Sequence, residues 1–262
     1  MSIILETQNL GISFGGLVAL KDLNLLLNEG EILGIVGPNG AGKTTVLNLI
    51  TGVYRPTGGS LLFKGKRIDG LPPHVIASLG ISRTFQNIRL IPSLSVLENV
   101  MLGRALRVSE SPLASVILGP RARMERAAWV AYAEEMLDYV GLSDFSDVDA
   151  TSLPYGKQRA VEIARAIATG ADVILLDEPA AGMSSQEKQD LCGLIKDLRG
   201  NLKKTVVIIE HDVKMVLNLV DRVLVLDFGS QIAEGPPESI KVNPRVIEAY
   251  LGRVEAVPDA GN

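Results

Sequence analysis

Residues 37–44 read Gly-Pro-Asn-Gly-Ala-Gly-Lys-Thr, a loop of the form G-x-x-x-x-G-K-[ST]. Glu31-Ile32-Leu33-Gly34-Ile35-Val36 precedes it, apolar and branched as in a buried parallel strand. Thr45-Val46-Leu47-Asn48-Leu49-Ile50 follows it and continues as a helix. A loop spelled this way must be fed by a strand and must open a helix, and both flanks comply. The spelling also carries chemistry. Gly37, Gly40 and Gly42 permit positive φ angles and close backbone approach. The helix N-terminus offers unpaired N–H groups and a partial positive charge to a phosphate. Lys43 is placed to neutralise β- and γ-phosphate charge, and the Thr44 hydroxyl to ligate Mg²⁺. Pro38, Asn39, Ala41 and Thr45 complete the expected cradle. A glycine-rich turn with a chance lysine would not account for the agreement of loop and flanks.

The chain has 262 residues, 47% of them hydrophobic, enough for one large domain with a subdomain. Its formal net charge of -4 carries none of the basic excess that drives nonspecific nucleic-acid binding. Cys192 is the only cysteine, which excludes an internal disulfide and suits a reducing compartment. It sits in an expected helix, Gln186 to Leu198, as a packing residue. The N-terminus, Met1-Ser2-Ile3-Ile4-Leu5-Glu6, lacks the basic region and long apolar stretch of a signal peptide. No run of about 18 apolar residues is present, so membrane work would require a partner.

Apolar strand-like segments recur at 3–6, 32–36, 60–64, 81–85, 173–177, 205–210 and 222–227, with a short one at 231–234. Helical patterns lie between the later ones, at 186–199 and 213–220. The alternation predicts an α/β sheet covered on both faces. From about Pro92 to Gly170 the pattern turns helical, with Val130, Ala133, Leu137 and Val140 on one face. Pro112, Gly119 and Pro120 mark a loop before that helix. This block reads as an inserted helical subdomain at about 92–170, within a domain spanning 1–252. Residues 253–262 read as a flexible tail.

Val173-Ile174-Leu175-Leu176-Asp177-Glu178 places two adjacent carboxylates at the end of a buried strand, where ligands of open parallel sheets bind. Asp177 suits Mg²⁺, held through water. Glu178 points the other way and suits polarisation of an attacking water. Read alone, the pair is equally an ordinary strand end with solvated acids; the phosphate loop favours the first reading. His211 follows another apolar strand through Glu210 and is placed to contact a γ-phosphate or orient the water. His74, after Pro72-Pro73, reads as a loop residue with no chemistry. Gln86 ends Ile81–Phe85, and its amide oxygen can ligate Mg²⁺.

These residues, in this order, resemble the nucleotide-binding subunits of ATP-binding cassette transporters along roughly residues 3–252. The resemblance rests on the loop 37–44, Gln86, Leu153-Pro154-Tyr155-Gly156-Lys157-Gln158-Arg159, the Asp177-Glu178 strand end, Ala181-Gly182-Met183-Ser184 and His211. Within that family the chain is similar to ATPase subunits of branched-chain amino acid importers, through Phe14–Leu20, Arg83–Leu90, Asp177–Gly182 and Ile247–Gly252. The resemblance implies an α/β phosphate-loop NTPase fold. Its parts would be a RecA-like parallel-sheet core, an N-terminal antiparallel β subdomain and the inserted helical subdomain. It also implies ATP and Mg²⁺ as cofactors, with Thr44, Gln86 and Asp177 at the metal and Glu178, His211, Lys43 and Gln86 catalytic.

The family assigns further roles. Phe14 would stack on adenine with Val18 beside it; the alternative is a core aromatic. Pro154, Tyr155, Gly156, Lys157 and Gln158 would form the signature segment, which contacts ATP bound to the opposite subunit. The usual spelling there is Leu-Ser-Gly-Gly-Gln, and Pro154, Tyr155 and Lys157 depart from it. Ser184 stands where an aspartate is usual. The implied partners are a second ATPase subunit, identical or not, transmembrane permease subunits and, indirectly, an external substrate-binding protein. The implied location is the cytoplasmic face of the bacterial inner membrane. Arg83, Arg89 and Leu90-Ile91-Pro92 stand as permease contacts or as solvated and packed turn residues. Alternatives are urea or amide uptake, lipid or lipopolysaccharide export, a non-transport protein of the family, and a subunit that binds nucleotide without hydrolysing it.

Overall fold

The computed structural model describes residues 2–105 and 120–251. In chain order the elements are β1 (Ile3–Phe14), β2 (Leu17–Asn28), β3 (Ile32–Val36), α1 (Lys43–Ile50), β4 (Gly58–Phe63), β5 (Lys66–Arg67), α2 (Pro73–Leu79) and β6 (Ile81–Arg83). Then come α3 (Val96–Ala105), α4 (Pro120–Tyr139), α5 (Tyr155–Ala168), β7 (Val173–Asp177), α6 (Ser185–Gly200), β8 (Thr205–Ile209), α7 (Val213–Leu219), β9 (Arg222–Asp227), β10 (Ser230–Gly235), α8 (Pro237–Lys241) and α9 (Pro244–Leu251). The loop marked by Pro112 and Gly119, and the tail at 253–262, lie outside the described residues; Pro120 itself opens α4.

Two sheets form. One is four-stranded and antiparallel in the order β2-β1-β4-β5. The other is six-stranded in the order β10-β9-β3-β8-β7-β6, parallel except for β10. The parallel strands β3, β7 and β8 are buried along their whole length, as the unbroken apolar runs predict. Because side chains alternate across a strand, each strand feeds two cores. Ile174 and Leu176 join the cluster under the helices, together with Val206 and Ile208. Val173 and Leu175 join the cluster between the sheets and α1, with Val207 and Ile209. Each such fully buried side chain contributes roughly 1.5–3 kcal/mol.

Some local expectations shift. β1 runs on to Phe14, and β2 adds a strand that no continuous apolar run announces, because every second residue faces outward. β6 stops at Arg83 instead of Phe85. Thr84 still donates to the Leu175 carbonyl, 2.9 Å away, but the Phe85 carbonyl accepts from Arg159 and leaves the sheet. His74 is in the first turn of α2, not in a loop; Pro72 is extended and Pro73 occupies a first-turn position, where a missing N–H costs nothing.

The helices α3, α4 and α5 pack on one another between β6 and β7 in sequence. Ala133 and Leu137 are buried, with Met136, while Val130 and Val140 are half-buried. Trp129 is half-buried in α4, and Cys192 packs at the edge of the helical-side core. No helix among the described residues is long and apolar enough to cross a membrane.

Candidate nucleotide-binding site

The phosphate loop leaves the C-terminal end of β3 and enters α1. Gly42 is the N-cap of α1, at φ 101°, and supplies no side-chain acceptor to the first turn. The N–H groups there are left for an anion. A Cβ on Gly42 would lie 3.0 Å from the Ala19 carbonyl oxygen, and one on Gly37 only 2.2 Å from that of Leu226. Glycine alone fits both places. Lys43 is buried, and its Nζ donates to the carbonyls of Gly37 at 2.7 Å and Pro38 at 3.0 Å. Burial lowers its pKa, against the opposing pull of Glu178 and Asp177.

A cavity of about 730 Å³ opens over this loop. Its polar wall holds Asn39 to Thr45, Gln86, Glu178 and His211; its apolar wall holds Leu17, Val18, Ala19 and Phe228, ending at Gly229. Gly37 and Pro38 stand behind the loop as carbonyl partners of Lys43. Phe14 does not line the cavity. Its ring meets Tyr54 edge to face, with centroids 5.1 Å apart.

The register of β7 and β8 builds the acidic end. Asp177 is paired with Ile209 across the sheet, so Glu178 and the Glu210-His211 step emerge side by side. Glu178 has φ 48°, a left-handed conformation uncommon for a non-glycine residue. Its N–H donates to the Ile209 carbonyl at 2.9 Å. Its two carboxylate oxygens have separate partners: Gln86 Nε2 donates to Oε2 at 2.8 Å, and His211 Nε2 lies 2.5 Å from Oε1. The His211 side chain is 47% exposed toward the cavity mouth. Asp177 lies outside the cavity wall. Arg83 Nη2 donates to its Oδ2 at 2.7 Å, and Arg83 Nη1 reaches Asn48 on α1 at 2.7 Å. Arg83 is therefore buried against the site and not available as a permease contact. Arg89 remains exposed, its guanidinium stacked 4.5 Å from the Phe85 ring centroid.

The segment 153–158 lies outside this cavity. Pro154 is the N-cap of α5 and supplies no side-chain cap. The Tyr155 hydroxyl accepts from Arg159 at 3.1 Å. Gly156 faces α6 so closely that a Cβ would fall 2.3 Å from the Glu187 carboxylate. Lys157 Nζ sits 3.6 Å above the Phe145 ring, and Gln158 Nε2 closes the preceding turn through the Thr151 and Leu153 carbonyls. Ser184 caps α6 in a reciprocal box with Glu187.

Residues 20–181 match the family described as ABC transporter, and residues 230–256 match the one described as branched-chain amino acid ATP-binding cassette transporter. Over 95% of its length the chain is 43% identical to the high-affinity branched-chain amino acid transport ATP-binding protein BraF of Pseudomonas aeruginosa, covering 98% of that protein. The corresponding LivG protein of Escherichia coli is 40% identical over the same shares. The chain belongs to the ABC transporter family. Its fold agrees: the ADP conformation of an ATP-binding cassette from an ABC transporter superposes with TM-score 0.82 at 33% identity, covering 96% of this chain and 100% of that one. A dimeric post-hydrolysis cassette bound to ADP and Pi superposes with TM-score 0.75 at 28% identity, covering 89% and 99%. ABC ATPases hydrolyse ATP as transporter subunits and act as dimers with membrane permeases.

Within this ABC cassette, sequence reading overlooked three supports of the site. Arg83 neutralises Asp177. Arg159, on α5, donates to the carbonyls of Phe85 and Gln86 at 2.6 and 2.7 Å and so holds the chain at Gln86. Glu210 is buried and accepts from the Ala180 and His211 N–H groups at 2.6 and 3.2 Å, tying the turn after Glu178 to the turn at His211. The one local signal for Glu210 was an acid directly ahead of a histidine at a strand end. Burial raises its pKa above the ordinary 4.5. A carboxyl raised in this way stabilises the fold fully below its unfolded pKa, and that stability is lost as pH rises through the folded pKa. Glu210→Gln keeps an acceptor for Ala180 and does not titrate. Its stability relative to wild type is expected to rise from mildly acidic to neutral pH in denaturant titrations. Parallel pH curves for the two proteins would show that Glu210 does not carry this dependence.

Proposed function

We propose that this chain is the ATP-hydrolysing subunit of an importer for branched-chain amino acids, working on the cytoplasmic face of the cell membrane. The observation that carries hydrolysis, rather than binding alone, is Glu178. Gln86 and His211 each engage a different oxygen of this one carboxylate at a phosphate-loop cavity. A protein that only bound nucleotide would need no carboxylate held in a set direction. The names of the relatives and the match at 230–256 support the amino acid class.

In this reading the α1 N-terminus and the loop N–H groups bind the triphosphate. Lys43 exchanges the Gly37 and Pro38 carbonyls for phosphate oxygens. Thr44 and Gln86 present oxygen donors in the cavity wall, and Asp177 ends the adjoining strand. That hard donor set fits Mg²⁺, which keeps water and phosphate oxygens in its shell. Bound Mg²⁺ supplies charge stabilisation of the transferring phosphoryl group. Glu178 takes the proton of the attacking water, oriented by Gln86 and His211. Val18, in the apolar wall of the cavity, serves the base, while Phe14 stands outside that wall against Tyr54.

Pro154, Tyr155, Gly156, Lys157 and Gln158 serve the ATP of a second cassette, identical or related, because they stand outside this chain's own cavity. ATP that touches both subunits only when they close favours the closed state. The helical unit at 92–170, held to Gln86 by Arg159, passes that motion to the permeases. An external binding protein delivers substrate, and nucleic acid has no part. The test is transport by the chain assembled with branched-chain amino acid permease subunits and a binding protein, in sealed vesicles. ATP-driven uptake of leucine, isoleucine and valine, abolished by Lys43→Ala, is expected. ATP turnover that none of the three stimulates would overturn the substrate class, and no turnover would overturn the enzyme.

A further inference from the structure

The hairpin between β9 and β10 turns on Phe228 and Gly229, with Asp227 and Ser230 paired beneath them. Both tip residues have positive φ, 42° and 73°, as in a type I′ turn. That turn favours Asn or Gly at its first position, because a bulky side chain in the left-handed region is strained. Phe228 breaks this preference. It is also 88% exposed, the most exposed large apolar side chain among the described residues. Strain and solvent exposure thus fall on one residue, and a sequence that departs from local preference in this way does so characteristically at functional sites.

The turn is held firmly. The Gly229 N–H donates to the Ala41 carbonyl of the phosphate loop at 3.0 Å, and the Gly229 carbonyl accepts from Lys21 of β2 at 2.7 Å. A Cβ on Gly229 would meet the Ala19 carbonyl oxygen at 2.8 Å. The turn is therefore anchored between the phosphate loop and β2, with Phe228 in the cavity wall together with the exposed Leu17 and Val18. A triphosphate seated on residues 37–44 leaves the rest of its nucleotide in this cavity. The adenine is the one part of ATP with a broad π-face that gains from apolar and aromatic cover.

We infer that Phe228 is a base-contacting residue, covering the adenine of ATP together with Leu17 and Val18. This rests on the ATP-site reading above. It accounts for a strained, exposed phenylalanine where asparagine would make the better turn, and it adds to the cavity an aromatic that Phe14, engaged with Tyr54, does not supply.

The test compares full-length wild type with Phe228→Asn and Phe228→Tyr. Binding of ATP and of inorganic tripolyphosphate, each with Mg²⁺, is followed by titration calorimetry. Phe228→Asn is expected to weaken ATP binding roughly five- to tenfold, the low end of base–aromatic stacking. It should leave tripolyphosphate affinity unchanged and raise the unfolding midpoint, because Asn suits the turn. Phe228→Tyr should keep wild-type affinity for ATP. Equal ATP affinity in wild type and Phe228→Asn would overturn the assignment. Equal losses for both ligands would also overturn it, by locating the damage in the phosphate loop. A wild-type chain that binds neither ligand would instead overturn the ATP site itself.

Discussion

Glu178→Gln is expected to lower ATP turnover by on the order of 10²–10³-fold while ATP remains bound. The substitution keeps the side-chain volume and both contact positions but removes the charge that the proposed base would use to accept a proton from water. Gln86 and His211 hold the wild-type carboxylate by one oxygen each, so the loss is chemical rather than positional. Nothing in the phosphate loop changes, so the proposed contacts of Lys43 and the α1 N-terminus to the triphosphate should persist. Nucleotide binding and single-turnover hydrolysis, measured separately on the assembled transporter, distinguish the two effects. A stable ATP-bound closed dimer is the expected product. Turnover within about threefold of wild type would remove Glu178 from the role of base.

Arg159→Leu is expected to destabilise the fold by about 3–5 kcal/mol, the cost of breaking a buried charge pair from one side. Arg159 is 0% exposed and pairs with Glu162 at 2.8 Å. It also satisfies the carbonyls of Phe85 and Gln86. Its removal leaves Glu162, already raised in pKa by burial, with the weaker Arg165 contact at 3.5 Å and the Arg89 N–H at 2.8 Å. Two part-buried carbonyls also lose their donor, each at most about 1 kcal/mol given their partial access to water. For a chain of this size the unfolding midpoint should fall by on the order of 10 °C. Adding Glu162→Leu removes the orphaned charge and should recover part of the loss, but not the part owed to Phe85 and Gln86. Calorimetry on both variants checks this order, and a single-variant loss below about 1 kcal/mol would show that the network carries little stability.

These two residues differ in how visible they were. Glu178 was legible because an unbroken apolar strand ends in it, beside a phosphate loop. Arg159 looked like any polar residue on a mostly polar helix turn between Gln158 and Ala160. Its burial is decided by α5 packing across the chain at 85–89. Arg83 shows the same limit in the other direction: an arginine ahead of an exposed turn read as a candidate surface contact, yet it lies against Asp177, 94 residues later. Phe228 was spelled plainly in Asp-Phe-Gly-Ser, but its strain appears only once β9 and β10 pair and force a two-residue turn.

By itself the sequence determined the phosphate loop, the buried parallel strands, the family and the residue types of the site. Those features are local: glycine spacing, apolar runs and helix starts act over a few residues, where chain geometry leaves few options. Only the tertiary structure decided which side chains meet. Gln86, Glu178 and His211 converge because β6, β7 and β8 are neighbours in one sheet, and register sets which residue faces which. The same packing placed Arg83 and Arg159 as buried supports and left residues 153–158 outside the cavity of their own chain. The physical reason is that burial and pairing of charge depend on partners dozens of residues away, which no local pattern encodes.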